Sequence, residues 1–343
     1  ALAALALGAS PAAPPAAARD ECTAAVLSAA VVREGAPVLW KNRDADDLSN
    51  RIVFADEKPY AYLALVNSAD RSGRQVYAGL NAAGFAIMNT VAYNLPDSAG
   101  EMKDLEGFIM ADALRTCRTT ADFAARLDGW LGPELGSLAN FGVIDADGGA
   151  ALFEVHNHGY RRLDAAAAPE RYLVVTNFAR SGEAGQGAGY LRFERASALF
   201  AAAPPGQLSF ADILTRFARD TGHPLLRHPA PPEWRRLPAH EPHWIHTADC
   251  PDRSITSAAV VIVGRSPAAP ARPATLWVLP GEPLAAVAVP LWVEAGASPA
   301  PLWEGDEAPL WRESRRVKRV ARPFGGEKKG EYLDLARLDN AEG

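Results

Sequence analysis

From Cys22 to Met88 the apolar residues come in short blocks divided by turn residues, a spacing that predicts strands. The expected strands are 22–28 and 38–44, joined through Glu34-Gly35-Ala36-Pro37, then 60–66, 76–80 and 85–88. The polar stretch 46–51 reads as a connection, and Asn81-Ala82-Ala83-Gly84 as the tight turn of an antiparallel pair. The spacing then changes to three and four. Helices are expected over 107–117 and 120–131, with Phe108, Ala111 and Leu114, and Phe123, Leu127 and Trp130, on their apolar faces and Thr120 as an N-cap. Strands return at 141–145, 150–155 and 172–177, helices at 190–202 and 210–219, and strands at 255–263, 275–278 and 285–293. The Pro-, His- and Arg-rich segment 221–242 reads as a surface excursion, and the basic cluster of a helix near 310–320 (Arg312, Arg315, Arg316, Lys318, Arg319) as a solvated face. Strands, helices, strands, helices, strands is an α+β order. Its simplest layering is a four-layer αββα sandwich of two antiparallel sheets with helices outside.

Composition narrows the class. The chain has 343 residues, is 48% hydrophobic and 22% charged, and carries a formal charge of -6. It can bury a substantial core, and it shows no basic footprint for nucleic acid. Residues 1–18 are almost all Ala, Leu and Pro, and the apolar run is far shorter than the roughly 20 residues of a membrane span. They read as the distal part of a secretory signal with a small-residue cleavage site, which makes the protein exported, periplasmic or extracellular. The division expected is therefore a signal or pro-segment over 1–21 and a single catalytic domain over 22–343. Three cysteines are too few for a disulfide framework, and a bridge between Cys117 and Cys250 would leave Cys22 as the unpaired thiol.

Cys22 opens a predicted strand. If it became the N-terminus it would hold a thiol nucleophile and an α-amino base on one residue, suited to attack on an amide or ester carbonyl. An α-amine titrates at about 7.7–8.0, well placed for a base near neutral pH. The histidines do not compete with this site. His156 and His158 share a strand face and His240, His243 and His246 recur every third residue, but neither set has a zinc pattern with Cys or Glu, so no metal and no cofactor is expected. Gly185-Gln186-Gly187-Ala188-Gly189 follows no βαβ pattern and reads as a flexible lip, not a phosphate loop.

Cys-Thr at the head of one strand and the Asp of WKNRD at the end of the next resemble the N-terminal-nucleophile (Ntn) hydrolases of the choloylglycine hydrolase and penicillin acyltransferase type. The likeness continues through GLNAAGFAIMNT (79–90), VVTNF (174–178) and GYLRFERA (189–196). It implies the αββα fold and a precursor cut before Cys22. It also implies roles: Asp44 orienting the freed amine, Lys41 where the family usually has Arg, Asn177 as oxyanion donor, Asn89 near a second Asn position, and Arg192 completing the charged network. Arg43 is another source of positive charge, on the strand face opposite to Asn42 and Asp44. The implied partner is a small-molecule acyl-amide substrate, with a homo-oligomer left open. Hydrolysis, transfer of the acyl group to an amine, and a non-catalytic secreted binding protein on the same fold all remain open. Trp40, Tyr60, Tyr62 and Phe178 read either as an acyl pocket or as ordinary core.

Overall fold

Strand β1 (Glu21–Leu27) is apolar on both faces: Ala24 and Val26 enter one core, Ala25 and Leu27 another, and all are fully buried. Such a strand must lie inside a sheet covered on both sides. The computed structural model describes residues 21–96, 103–204, 206–238, 240–269, 271–324 and 330–338, so the expected 1–20 leader lies outside the described residues.

β2 (Val38–Asp44) pairs antiparallel with β1. β3 (Asn50–Ala55), β4 (Tyr62–Asn67), β5 (Ala78–Asn81) and β6 (Ala86–Val91) form an antiparallel meander. After α1 (Glu106–Thr116) and α2 (Thr120–Trp130), the meander continues through β7 (Ala139–Ile144), β8 (Ala150–His156) and β9 (Gly159–Asp164), giving a seven-stranded sheet. β10 (Tyr172–Val175) returns to the edge of β1. α3 (Tyr190–Ala201) and α4 (Phe210–Asp212), which runs into a π-helical turn Ile213–Phe217, are followed by a short α5 (Pro231–Trp234) and β11 (Trp244–His246). β12 (Thr256–Val263), β13 (Thr275–Leu279) and β14 (Val289–Leu291) complete a six-stranded sheet of order β10-β1-β2-β12-β13-β14. α6 (Pro309–Ala321) precedes β15 (Tyr332–Asp334), which pairs with β11.

Three cores make this an αββα sandwich, as expected. Between the sheets, Val26, Leu39 and Val260 of one meet Leu63, Met88, Ile144 and Leu152 of the other. The outer face of the seven-stranded sheet packs under α1 and α2, where Phe123 lies edge-on to Phe141 and Phe153. The outer face of the six-stranded sheet packs under α3 and the π-helical turn, around Trp40, Phe200 and Phe217.

Several details differ from expectation. β3 occupies part of the stretch read as a polar connection; Asn50 and Arg51 are buried, and Arg51 donates to the carbonyls of Trp303, Gly305 and Asp306. β9 escaped notice because it is an edge strand with an exposed Arg-Arg pair. α2 is capped by Thr119, not Thr120, in a reciprocal box with Asp122. Phe108 is exposed because α1 buries Ile109, Met110, Ala113 and Leu114 instead. The strand expected over 285–293 shrinks to β14 after a 3-10 turn at Pro283–Ala285. The 221–242 excursion is anchored, since Trp234 is buried with Ile245, Ala321, Leu333 and Leu335. The basic face of α6 is not simply solvated: Lys318 donates to the Ser254 carbonyl and pairs with Glu282, and Arg315 pairs with Glu307.

Candidate active site

The register of β1 on β2 decides what faces what. Glu21 pairs with Asp44, Cys22 with Arg43, Thr23 with Asn42 and Ala24 with Lys41. Directly opposed residues share a sheet face. Ala24 and Leu39 lie between the sheets, whereas Ala25 and Trp40 lie under α3. Alternation therefore turns Cys22, Lys41 and Arg43 toward the inter-sheet space, and Glu21, Thr23, Asn42 and Asp44 toward the helices. Glu21, expected as the last residue of a leaving segment, is built in as the first residue of β1.

On the helix side, Arg192 from the first turn of α3 holds the Glu21–Cys22 junction. Its Nη1 donates to the Cys22 carbonyl at 2.6 Å and to Thr23 Oγ1 at 3.1 Å, while Nη2 donates to Asn177 Oδ1 at 3.0 Å and to Glu21 Oε2 at 2.9 Å. Gly189, at φ +80, lets the guanidinium sit there, because a Cβ at that position would meet Arg192 Nη2 at 2.6 Å. A second guanidinium, Arg253, reaches Glu21 Oε2 through Nη1 at 2.5 Å. Burial pushes the Glu21 carboxyl up, but Arg192 and Arg253 together hold it below its ordinary range.

Asp44 lies against the same pair but is fully buried. Its Oδ1 accepts from Thr256 Oγ1 at 2.7 Å. Oδ2 stands 4.0 Å from Arg192 Nη1 and 3.8 Å from Arg253 Nη1 and accepts no hydrogen bond among the described residues. Burial drives its pKa up to about 6, against the pull of Arg253 and Arg192.

Asn177 follows the end of β10. Its Oδ1 accepts the Cys22 backbone N–H at 2.9 Å and its Nδ2 donates to the Val91 carbonyl at 3.2 Å. In the uncut chain it therefore turns an acceptor to Cys22, where a donor was expected, because both neighbours there, the Cys22 N–H and Arg192, are donors. Ala188 N–H donates to the Asn177 carbonyl at 3.1 Å, so the glycine-rich segment is tied to the site. Phe178 stacks on Tyr190 at a centroid distance of 4.4 Å, whereas Trp40 and Tyr62 are core.

On the inter-sheet side, Lys41 Nζ donates to Asn89 Oδ1 at 2.8 Å and to the Tyr77 carbonyl at 3.0 Å, linking the two sheets. Arg43, opposite Cys22, lays its guanidinium over the Tyr77 ring at 3.6 Å and donates to Asn50 and Ser257. The structure thus gathers Asp44, Asn177 and Arg192 around the Cys22 backbone and places Lys41 and Asn89 on the face its thiol uses.

Sequence reasoning missed Arg253, Thr256 and Asn140. Asn140 Nδ2 pins the 176–178 segment through the Thr176 and Phe178 carbonyls. The one available signal was the polar run Asp252-Arg253-Ser254 just before an apolar strand. The other two cysteines are remote from this chemistry, and none of the three forms a disulfide. Cys117 lies in the core under α1 and α2, its thiol pushed up to about 11 by burial. The Cys250 thiol donates to the Thr221 carbonyl at 3.2 Å and burial raises it strongly.

No family model and no curated protein matches the chain. Among solved structures it is similar to the conjugated bile acid hydrolase of Clostridium perfringens, with TM-score 0.43 and 11% identity over 79% of this chain and 93% of that one. It is also similar to the penicillin V acylase of Agrobacterium tumefaciens, with TM-score 0.46 and 15% identity over 79% and 86%. A third similar structure is the Caenorhabditis elegans ortholog of N-acylethanolamine-hydrolyzing acid amidase, with TM-score 0.35 and 15% identity over 46% and 71%.

Proposed function

We propose that this chain is the precursor of a cysteine Ntn hydrolase that cuts a linear amide bond through an acyl-Cys22 intermediate, after losing residues 1–21. The observation that carries the reading is Asp44 Oδ2, a buried carboxylate oxygen beside the Glu21–Cys22 junction that accepts no hydrogen bond among the described residues. Leaving such a group unsatisfied is costly. A free α-amine on Cys22 would supply the missing donor and, once protonated, the missing charge.

The chemistry balances with water alone. In the precursor the Cys22 thiol attacks the Glu21 carbonyl, the C–N bond breaks, and the thiol proton passes to the released nitrogen. Water then hydrolyses the thioester, leaving Glu21 as a carboxylic acid and restoring the thiol. In the mature enzyme the α-amine takes the thiol proton, sulfur attacks the substrate carbonyl, and the substrate C–N bond breaks as its nitrogen leaves with that proton; water then hydrolyses the acyl-Cys22 thioester to the free acid and restores the thiol. Residues 22–343 act as one catalytic domain, with residues 1–18 as an export signal. Capture of the acyl group by an added amine, scored as acyl-amine against free acid, separates transfer from hydrolysis.

Intact mass joined to an activity assay tests the reading. The active protein is expected to begin at Cys22, while Cys22→Ala keeps Glu21 and loses roughly 10³-fold or more of its acyl-amide turnover. Full activity with Glu21 still attached overturns the mechanism.

A further inference from the structure

We propose that Arg192 and Arg253 form a carboxylate subsite for the acyl half of the substrate, occupied by Glu21 in the uncut chain. The substrate class is then an amide of a short acyl chain ending in a carboxylate, of the glutaryl type. The inference rests on the reading above, in which Cys22 is acylated and freed of Glu21.

The subsite is seen filled. One oxygen of Glu21, Oε2, lies 2.9 Å from Arg192 Nη2 and 2.5 Å from Arg253 Nη1. These guanidinium side chains are 1% and 10% exposed, so they are fixed by their surroundings and not by solvent. When Glu21 departs, the carboxylates left near them among the described residues are Asp44, at 4.0 Å and 3.8 Å, and Glu331, at 3.8 Å from Arg253 Nη2. The same cleavage adds an α-amine to the site. Two buried cations that lose their closest carboxylate, and gain a third positive neighbour when that amine is protonated, favour a replacement anion.

The path from sulfur to this clamp follows from the processing step. The carbonyl carbon attacked by Cys22 belongs to Glu21, whose side-chain carboxylate already lies in the clamp. The first acyl group that Cys22 carries is therefore a glutamyl group anchored on Arg192 and Arg253. A substrate acyl chain with its carboxylate the same number of bonds from the carbonyl, as in a glutaryl group, repeats that arrangement. Glu21 and Cys22 point to opposite faces of β1, so the chain must pass the strand end, which opens only when Glu21 leaves.

The test compares two substrate pairs on mature protein whose mass confirms Cys22 at the N-terminus. Glutaryl anilide is set against its terminal amide, glutaramoyl anilide, and an N-acylglycine against the N-acylglycinamide. A charge-assisted pair predicts a preference of roughly tenfold or more in kcat/KM for the glutaryl member, carried mainly by KM. Arg253→Met should reduce that ratio to near one. Should this variant fail to fold, competitive inhibition of the unaltered enzyme by glutarate against the neutral glutaramide reads the same subsite, with glutarate expected to bind more tightly. Equal turnover within each pair, or equal inhibition, overturns the subsite while neutral acyl-amide turnover by the processed enzyme leaves the general reading standing. A preference confined to the glycine pair overturns the acyl-side assignment. An active protein that retains Glu21 overturns both, since the clamp is then permanently filled.

Discussion

The two faces of the β1–β2 pair at Cys22 solve the burial of charge differently. On the helix side, two guanidiniums meet two carboxylates, and one carboxylate belongs to Glu21, the residue just before the proposed cut. On the inter-sheet side, the Asn89 and Tyr77 oxygens hold Lys41, and the Tyr77 ring, Asn50 and Ser257 hold Arg43, all of them neutral groups among the described residues. Loss of Glu21 in the proposed cleavage would take one of the two carboxylates from the helix side, whereas the groups named around Lys41 and Arg43 all lie outside the departing segment. The proposed processing would therefore alter the helix face, while Lys41 and Arg43 stay on the face that the Cys22 thiol shares.

The sharpest way to break this contrast is Arg192→Met, placed in a Cys22→Ala precursor so that processing does not intervene. Arg192 is fully buried and bonded to Cys22, Thr23, Asn177 and Glu21. Removing one partner of a buried ion pair is expected to cost about 3–5 kcal/mol in urea unfolding. A loss below about 1 kcal/mol would mean that solvent or Arg253 already compensates the Glu21 carboxylate, as for a surface pair.

Asp44→Asn in the same background tests the second carboxylate through pH. The folded-state pKa of Asp44 is raised to about 6 by burial. The folded protein therefore binds the extra proton between the ordinary carboxylate range and pH 6, and stability from this group falls as pH rises through that window. Glu21 has the opposite shift, gaining stability as pH rises, so the difference between variant and parent is the informative curve. The Asn variant should gain on its parent by about 2–3 kcal/mol between pH 4 and pH 6 and then level off. A flat difference curve would show that Asp44 is already charge-compensated before cleavage.

Much of this was legible from the chain alone. β2 matches the 38–44 expectation residue for residue, because a run that is apolar with a polar end has few other solutions. Cys22, Asp44, Asn177 and Arg192 could be set in order because the resemblance to the Ntn hydrolases supplied that order, and each lies at the end of a strand or the start of a helix. Arg253 could not, because its significance depends on a partner, Glu21, more than two hundred residues away and assigned to a segment thought to lie outside the domain. β3 was hidden for a related reason. Its buried Asn50 and Arg51 are satisfied by distant carbonyls and side chains, so local polarity misrepresented their environment.

The smallest expected effect probes the constant face. Lys41 sits two cross-strand pairs beyond the Cys22–Arg43 pair, and so on the same face that the thiol uses, and its ammonium is fixed by Asn89 and the Tyr77 carbonyl. A cation in that place favours thiolate. Lys41→Met removes the charge but keeps much of the side-chain length, so the acid limb of the kcat/KM profile should move to higher pH by about one unit. Lys41→Arg restores the charge and should bring the limb back, even if the fork fits Asn89 imperfectly. That rescue separates an electrostatic role from a structural one, because losing the inter-sheet link alone would lower stability without moving the limb. If Met and Arg variants share the parental profile, the field at Cys22 comes from Arg43 across the strand, and the contrast between the two faces narrows to that one guanidinium.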